Sequence, residues 1–500
     1  MRYFGLYRLR VSMTGEVYGG VTRAPHEQSG SSSGATSEVS VLFQSAIALQ
    51  KAGKFIEALA SYDQAIALQP DNAYAFNNRG NVLQSLKRAE EALASYQAAI
   101  ALKPDHAKAH NNCGNVLQGL GRSEEALASF QRAIALKAND AEIFRNLAIT
   151  LVELKRFEEA LAVYDEAIAL RPDYAEALKN RGILKLLLGH YEEGWADYEW
   201  RWKAEDCMTV PPPIAAPPWQ GEEIAGRSIA VYAEQGLGDI IQFARYLPLL
   251  AQRKAKVTFI VSQTLHRLLN TLEGELEIVA SIKAARPFDF QCPVMSLPLH
   301  FGTRLSSIPS RVPYLHAEDT LIAKWKGRLL LPGLRVGIVW QGSPGARDAR
   351  DRSVPLREFF PLANIAGVRL ISLQKNHGLD QYENIPRNIA IESLGGDFDG
   401  GPDAFVDTAA AMAHLDLVIT SDTSIAHLAG ALGRPVWIAL KYLADSRWLL
   451  DREDSPWYPS ARLFRQERKG DWASVFSRME REMRSLVARG NYGASAPYTR

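Results

Sequence analysis

A 34-residue period governs the first part of this 500-residue chain. Small residues, aromatic residues and prolines all return at that spacing. Small residues let two helices approach closely, and a proline after the second helix prevents it from continuing. A unit of this length cannot bury its own apolar face, so successive copies must stack on one another. The positions in register are Ala58, Ala92, Ala126 and Ala160; Gly80, Gly114, Ala148 and Gly182; Tyr62, Tyr96, Phe130, Tyr164 and Tyr198; and Pro70, Pro104 and Pro172.

This pattern resembles the tetratricopeptide repeat, with about five copies between residues 38 and 206. The resemblance implies an all-α solenoid whose concave groove takes a protein or peptide segment; a spacer or a dimerisation arm is the alternative. Asparagine recurs on the first helix of each repeat although it is a poor helix former. We interpret these side chains as groove residues that hold a peptide backbone, with ordinary solvent exposure as the alternative. They are Asn77, Asn78, Asn111, Asn112, Asn146 and Asn180.

Composition marks the segments around the repeats. Residues 1–37 end in a Ser/Gly-rich tract with little to bury, which favours a disordered tail without chemistry, and residues 488–500 are expected to form a flexible tail. Residues 207–226 are proline-rich and predict an extended linker at the domain boundary. The last repeat is aromatic, which favours a cap that docks on the following domain. Its aromatic residues are Tyr191, Trp195, Tyr198, Trp200 and Trp202.

Strand and helix patterns then alternate in two α/β segments, residues 227–318 and 332–487. The first strand is followed by EQGLGD, in which Gly236 and Gly238 allow a tight backbone turn. Ile241 stands where a dinucleotide fingerprint needs its third glycine, so NAD binding is disfavoured. Asp239 begins the next helix, where it is either a reactive carboxylate or only a helix cap.

A second strand–helix–strand unit lies at residues 415–440. An apolar strand ends in four oxygen-bearing residues, Ser421 to Ser424, which are typical of a helix N-terminus. The free N–H groups of such a terminus suit an anion such as a diphosphate. His427 lies opposite the apolar stripe of this helix, so we expect it outside the core, either as a ligand-binding residue or as a solvated one.

Basic side chains follow two other strands of the second α/β segment. The loop after the strand at residues 335–340 carries Ser343, Arg347, Arg350 and Arg352, and Lys375 stands at the tip of the next strand. Guanidinium groups at the carboxyl ends of strands could grip phosphate oxygens. A solvated, mobile basic loop is the alternative interpretation.

Charge and hydropathy exclude several classes of function. The chain has 57 basic and 56 acidic residues, so its net charge of +1 gives no field that would recruit nucleic acid or an anionic membrane. Three scattered cysteines without metal-binding spacing favour a reducing compartment, and we expect a cytoplasmic protein. We predict no transmembrane helix, because no run of eighteen apolar residues occurs, and no signal peptide.

Two short motifs resemble the heptosyltransferase-like family 9 glycosyltransferases. They are Gly238-Asp239 in the first turn, and Asp422-Thr423-Ser424 with His427-Leu428, Gly433 and Pro435 in the second unit. The resemblance implies the GT-B architecture, with two doubly wound α/β halves, the first on the acceptor side and the second on the nucleotide-sugar side.

The same resemblance implies a role for each motif residue. Asp239 would be the general base that deprotonates the acceptor hydroxyl. The donor diphosphate would be held by Asp422, Thr423, Ser424 and His427, with Ser343, Arg352 and Lys375 as weaker matches to phosphate-neutralising residues.

We therefore predict an inverting glycosyltransferase that uses a nucleotide-diphospho-sugar and needs neither a metal nor another cofactor. Asp397-Phe398-Asp399 has the letters of a metal motif but lies in a glycine-rich loop, where it is expected to form turns. The repeats would recruit a protein acceptor or partner. The alternatives are a repeat scaffold with a degenerate GT-B module and, third, a sugar-modifying epimerase.

Overall fold

A computed structural model describes residues 33–490, apart from 208, 283–285 and 345–348. The described residues form two compact units, one that ends at Arg181 and one that begins at Gly182. This division lies within the last repeat, ahead of the proline-rich linker where the sequence predicts the boundary.

The first unit consists of antiparallel helix pairs. Gly80 faces the ring of Tyr96, where a Cβ atom would lie 2.5 Å from the ring, and Gly114 faces Phe130 in the same way at 2.7 Å. The periodic small and aromatic residues therefore form one contact, which both of these pairs share. The helices are α1 (Ser33–Lys51), α2 (Phe55–Leu68), α3 (Ala73–Ser85), α4 (Ala89–Leu102), α5 (Ala107–Gly119), α6 (Ser123–Leu136), α7 (Ala141–Glu153), α8 (Phe157–Leu170) and α9 (Ala175–Leu187), in which the unit ends.

Several of the recurring asparagines hydrogen-bond one another, a contact that neither interpretation included. The Asn146 side chain is fully buried and donates to Oδ1 of Asn111 at 3.2 Å and of Asn115 at 3.0 Å. Asn112 donates in the same way to Asn77, at 3.0 Å. These amides hydrogen-bond one another between successive first helices, because a buried amide must find a polar partner.

The predicted tails need two corrections of extent. Residues 33–37, assigned to a disordered tail, belong to α1, because the helix that buries Val39 and Ala46 extends back to Ser33. At the other end the final helix continues to Arg489, past the predicted end of the domain at residue 487. Residues 1–32 and 491–500 lie outside the described part of the chain.

The second unit contains two sheets in which every pairing of named strands is parallel. The four-stranded sheet has the order β3-β2-β1-β4 and the six-stranded sheet the order β10-β9-β8-β5-β6-β7. The strands are β1 (Ser228–Tyr232), β2 (Lys256–Ile260), β3 (Leu276–Val279), β4 (Phe290–Pro293), β5 (Leu334–Val339), β6 (Val368–Ser372), β7 (Ile391–Ser393), β8 (Leu417–Ser421), β9 (Val436–Leu440) and β10 (Ala461–Arg465).

Helices connect these strands and supply the rest of the core. They are α10 (Tyr191–Tyr198), α11 (Leu237–Phe243), α12 (Leu247–Gln252), α13 (His266–Leu269), α14 (Leu297–His300), α15 (Asp319–Leu329), α16 (Ala349–Arg352), α17 (Phe360–Ala363), α18 (Val406–Met412), α19 (Ser424–Ala431) and α20 (Trp472–Arg489). The aromatic end of the last repeat packs inside this unit as predicted, with Tyr191 stacked on Trp457 and Trp195 edge-on to Phe243.

The strand orders locate the places where a ligand can bind. In each sheet the chain reverses its direction of winding once, between β1 and β4 and between β5 and β8. Crevices open at the carboxyl ends of the strands at such switch points. The loops after β1, β5 and β8 carry the predicted site residues except Lys375, which follows β6.

Candidate functional site

Asp239 lies in the first turn of α11, directly after β1. Its Oδ2 accepts a hydrogen bond from the backbone N–H of Gly236 at 3.1 Å, so the carboxylate caps its own helix. Its Oδ1 accepts a hydrogen bond from Arg447 at 2.6 Å. Only 5% of the residue is exposed. Asp239 is thus both a helix cap and one half of a buried ion pair.

Gly238 brings the two motifs of the sequence together. A Cβ atom at this position would lie 2.8 Å from Cδ2 of His427 and 3.4 Å from the Cα of Ser424. Only a residue without a side chain allows α11 to approach α19 this closely. The contact joins residues that follow strands of different sheets, and it places Asp239 beside the first turns of α19.

Thr423 caps α19, as its residue type predicts. Its Oγ1 accepts the backbone N–H of Ile425 at 3.3 Å and lies 3.0 Å from Oγ1 of Thr420. Ser424 is the first helical residue and is half-buried, as is Asp422. Thr423 thus engages the backbone N–H groups of Ile425 and Ala426, and an anion site at this turn stays a prediction.

The prediction that His427 lies outside the core is wrong. The imidazole is 2% exposed and stacks on Trp448 with a ring separation of 5.5 Å. Its Nδ1 lies 3.0 Å from Tyr458 Oη, and its Nε2 lies 3.2 Å from a guanidinium nitrogen of Arg447. The chain after β9 covers the helix face opposite the apolar stripe, and helical periodicity alone cannot show that cover.

The surroundings of His427 fix its protonation. Burial, reinforced by the charge of Arg447, lowers the pKa of the imidazole well below its usual value. Because arginine only donates, Nε2 is the acceptor in this contact and Nδ1 carries the proton, which is donated to Tyr458. His427 is therefore a neutral group with a defined tautomer.

Arg447 is the central residue that the sequence prediction missed. Its guanidinium donates to Asp239 at 2.6 Å, to Asp445 at 2.8 Å and to the Gln242 side chain at 3.0 Å, besides His427. It therefore links α11 to the segment after β9. Its place beyond the carboxyl end of β9 is a signal that sequence could have offered, because the carboxyl ends of parallel strands share one edge of the sheet.

The charged contacts of Arg447 shift two pKa values, its own and that of Asp445. Burial would lower the pKa of Arg447, but the carboxylates of Asp445, Asp239 and Asp422 raise it well above the usual value. Burial would likewise raise the pKa of Asp445, yet Arg447 lowers it to about 2. The arginine and Asp445 are both charged at neutral pH.

The loop after β5 reaches the same place. A Cβ atom on Gly342 would lie 3.5 Å from Cγ2 of Thr423 and 3.8 Å from Nη2 of Arg352. Ser343, the next residue, is exposed. The structure thus brings the Ser343 loop and Arg352 beside the start of α19. Arg347 and the side chain of Arg350 fall outside the described residues.

Lys375 is engaged elsewhere. Its ammonium group donates to the backbone carbonyl of Phe398 at 2.6 Å. In the same turn Asp397 pairs with Arg328 at 3.3 Å, and Asp399 accepts the backbone N–H of Asp407 at 2.9 Å. The Asp397–Asp399 motif therefore forms turns, as predicted, and Lys375 holds that turn. Within the described residues, no group of three or more His, Cys, Asp or Glu side chains could hold a metal ion.

Two buried polar atoms near Arg447 have no hydrogen-bond partner among the described residues. They are Nε2 of Gln242 and Nε1 of Trp448. Gln242 also accepts from Arg447, and Trp448 stacks on His427. Buried polar groups are nearly always satisfied, so a cluster of unsatisfied ones is typical of a place that a ligand or water completes.

The aromatic cap also holds the loop that carries Asp239. Arg201 makes a two-point ion pair with Glu234, at 2.8 and 2.9 Å, and both residues are buried. Gln235 donates to Tyr198 Oη at 2.8 Å. The loop between β1 and α11 is therefore fixed by residues that precede the proline-rich segment within the same unit, an interaction that the residue spacing did not predict.

Comparisons with known proteins bear on the first unit. Three tetratricopeptide-repeat family models match residues 48–87, 71–139 and 111–175. Residues 48–175 are tetratricopeptide repeats. The periodicity prediction is confirmed over this range.

Individual relatives cover only part of the chain. "Protein FlbA" of Caulobacter vibrioides is 27% identical in an alignment of 298 residues that covers 54% of this chain and 48% of that protein, so the chain spans about half the length of this curated relative. Among solved structures, YrrB, titled a TPR protein with an unusual peptide-binding site, is 24% identical over 36% of this chain and 94% of its own, with a TM-score of 0.30. PilW, titled a type IV pilus biogenesis factor, is 26% identical over 33% and 78%, with a TM-score of 0.31.

Two further properties complete this description. No helix in the described part is both long enough and apolar enough to cross a membrane. Cys113, Cys207 and Cys292 are free thiols.

Proposed function

We propose that the second unit is an inverting glycosyltransferase of the GT-B type, which transfers a sugar from a nucleotide-diphospho-sugar to an acceptor. The observation that carries this proposal is the contact between Gly238 and His427, which places the carboxylate of Asp239 beside the N-terminus of α19. A base and an anion site from different sheets then meet at one point. We propose further that no metal is needed and that the repeats recruit a protein acceptor or partner in the cytoplasm.

Glycosyl transfer requires three functions at the proposed site. The nucleoside diphosphate leaves with negative charge, which the N–H groups of α19, the Thr423–Ser424 turn and Arg352 can stabilise. The acceptor hydroxyl must lose its proton as it attacks the anomeric carbon, and we assign that step to Asp239, in the first turn of α11. His427, neutral and held by Tyr458, keeps the floor of the site in place.

A second function is favoured by a specific observation. Both carboxylate oxygens of Asp239 are engaged, one by Gly236 and one by Arg447, and the residue is buried. A base that is buried and engaged in this way is hard for an acceptor hydroxyl to reach. If this arrangement is permanent, the chain is a repeat scaffold whose second unit no longer catalyses.

Nucleotide binding separates the two functions. We propose a thermal-shift panel of UDP-, GDP-, ADP-, CMP- and dTDP-sugars, with and without EDTA. A ligand at a hundred times its dissociation constant stabilises the native state by roughly 2.7 kcal/mol, a readily measured shift. If the chain is the proposed enzyme, one class of nucleotide should raise the melting temperature, and EDTA should not remove this effect. If it is a scaffold, no nucleotide should change the melting temperature.

A matched pair of variants locates the binding. Ser424→Glu puts a carboxylate in the first turn of α19, where it competes with the diphosphate, and should abolish the shift. Ser474→Glu makes the same change in the first turn of α20, which lies outside the proposed site, and should preserve it. Loss of the shift in both variants, or in neither, would place the nucleotide elsewhere.

A further inference from the structure

The Asp239–Arg447 ion pair conflicts with the role proposed for Asp239. Oδ1 accepts from Arg447 at 2.6 Å and Oδ2 accepts from the Gly236 N–H, and only 5% of the residue is exposed. A catalytic base must be within hydrogen-bond reach of the proton it takes. A substrate hydroxyl therefore reaches Oδ1 more readily once Arg447 has found another partner.

Resting on the proposed function, we infer that Arg447 is a positioning residue that exchanges partners. Without ligand it pairs with Asp239. When the nucleoside diphosphate binds at the start of α19, the guanidinium turns to the diphosphate and releases Oδ1 of Asp239 for the acceptor hydroxyl. Donor binding thereby switches on the base, and the base is masked while the donor is absent.

The distance that the guanidinium must cover is short. Its Nη1 lies 3.2 Å from Nε2 of His427, which is one helical turn from Thr423 and Ser424. The charge of Asp422, which precedes that turn, also acts on Arg447. A planar guanidinium binds phosphate oxygens as readily as it binds a carboxylate, so both states offer comparable hydrogen bonds.

Asp445 provides a partner that Arg447 keeps in both states. It accepts from Nε of Arg447 at 2.8 Å and lies two residues away on the same segment. The end of the guanidinium can therefore turn from Asp239 to a phosphate while the Nε bond remains. This fixed partner limits the cost of the exchange, because the arginine is never left buried without a carboxylate.

The backbone beyond Arg447 is held in unfavourable conformations. Leu449 and Asp451 have φ of +54° and +48°, in the left-handed region that side chains other than glycine rarely adopt. Leu449 is buried, so packing maintains the conformation. Strain of this kind occurs in switch segments and ligand clamps, where a second conformation relieves it.

The unsatisfied atoms fit the same exchange. Gln242 gives its oxygen to Arg447, while its Nε2 has no partner among the described residues, and the same is true of Nε1 of Trp448. Both are donors, and a diphosphate offers acceptors. In this structure Arg447 has hydrogen-bond partners, whereas these two donors have none among the described residues.

Binding of a nucleoside diphosphate and of the matching nucleoside tests the inference. Arg447→Gln removes the charge and should lower the affinity for the nucleoside diphosphate at least tenfold in isothermal titration calorimetry. The affinity for the nucleoside, which has no phosphate, should change less than twofold. The control is Arg452→Gln, five residues along the segment, where the arginine pairs with Asp454 instead. Arg452→Gln should change neither affinity.

The outcomes separate the exchange from the function on which it rests. If the wild-type chain binds no nucleoside diphosphate, the proposed function fails and the exchange with it. If the wild type binds and turns over a donor while Arg447→Gln binds the diphosphate equally well, the exchange alone is overturned. Equal losses for diphosphate and nucleoside would mean that Arg447 only maintains the fold, and they would also overturn it.

A second measurement needs no change at Arg447. Trp448 is the next residue and stacks on His427, so movement of the guanidinium should alter its environment. Because the chain has ten tryptophans, the signal is the difference between the wild type and Trp448→Phe. We expect the nucleoside diphosphate to change the emission of the wild type and not that of Trp448→Phe. Identical responses of the two proteins would contradict the exchange.

Discussion

His427 shows how one residue can be placed correctly in the chain and wrongly in the fold. Its position on the polar side of α19 is a local property, and a helical wheel gives it correctly. Its burial depends on Trp448 and Tyr458, which come from a segment more than twenty residues later and carry no periodic signal. Arg447 was missed for the same reason, since an arginine in an irregular loop has no pattern that identifies its partners.

Burial of neutral His427 predicts a pH dependence of stability. Its folded-state pKa lies well below 6.5, because of burial and the nearby charges of Arg447, Arg245 and Arg352, which outweigh Asp445. The unfolded chain then binds the proton first as the pH falls below about 6.5. The free energy of unfolding should therefore be retained above that pH and decrease below it, by up to about 1.4 kcal/mol per pH unit.

A difference measurement isolates this residue from other histidines. Urea unfolding of the wild type and of His427→Gln is compared between pH 7.5 and 5. The wild type should lose more stability than the variant over this interval, because glutamine does not titrate. Parallel losses in the two proteins would show that His427 does not carry a depressed pKa.

At the scale of elements, local patterns predicted much of the fold. The helix pairs were predicted from residues that recur in each of them at the same positions. The strands β8 and β9 were predicted from short apolar runs next to glycine and proline. The site needed more, because α11 and α19 belong to different sheets and their meeting depends on the packing of the whole unit. From the sequence, Gly238 was predicted to allow a tight turn. In the structure it allows α11 to pack closely against His427 of α19.

The α11–α19 contact can be tested with one methyl group. Gly238→Ala would put Cβ 2.8 Å from His427, and overpacking of this kind typically costs about 1–3 kcal/mol. We expect a lower melting temperature and weaker nucleotide binding. Gly327→Ala, in α15 with open space around the added methyl, should leave stability equal or slightly higher. Similar melting temperatures for Gly238→Ala and the wild type would mean that α11 and α19 are not packed in this way.

At the scale of the whole molecule, the compact second unit begins at Gly182, before the linker. The proline-rich residues 207–226 lie beyond this division, so their composition did not mark the boundary between the two compact units. Arg201 and Tyr198 precede that segment, yet they hold the loop of Asp239. A cut at residue 206 would therefore remove part of the second unit.

Breaking the Arg201–Glu234 pair tests how much the stability of the second unit depends on residues before the proline-rich segment. Arg201→Met leaves Glu234 buried without its partner, and breaking a buried pair in this way costs roughly 3–5 kcal/mol. The control is Arg304→Met, whose ion pair with Glu192 is about two-thirds exposed on both sides and should contribute roughly 0–1 kcal/mol. Chemical unfolding of both variants gives the comparison. Equal effects would show that Arg201 is not an internal part of the second unit.

The central claim is that Asp239 acts on a nucleotide-diphospho-sugar bound at α19. Its most direct test is the release of nucleoside diphosphate from the donor that the thermal-shift panel identifies, measured for the wild type, Asp239→Asn and the exposed control Asp319→Asn. The account predicts that Asp239→Asn lowers turnover by about 10²–10⁴-fold with little change in donor affinity, while Asp319→Asn behaves as the wild type. Turnover by Asp239→Asn at the wild-type rate would contradict it.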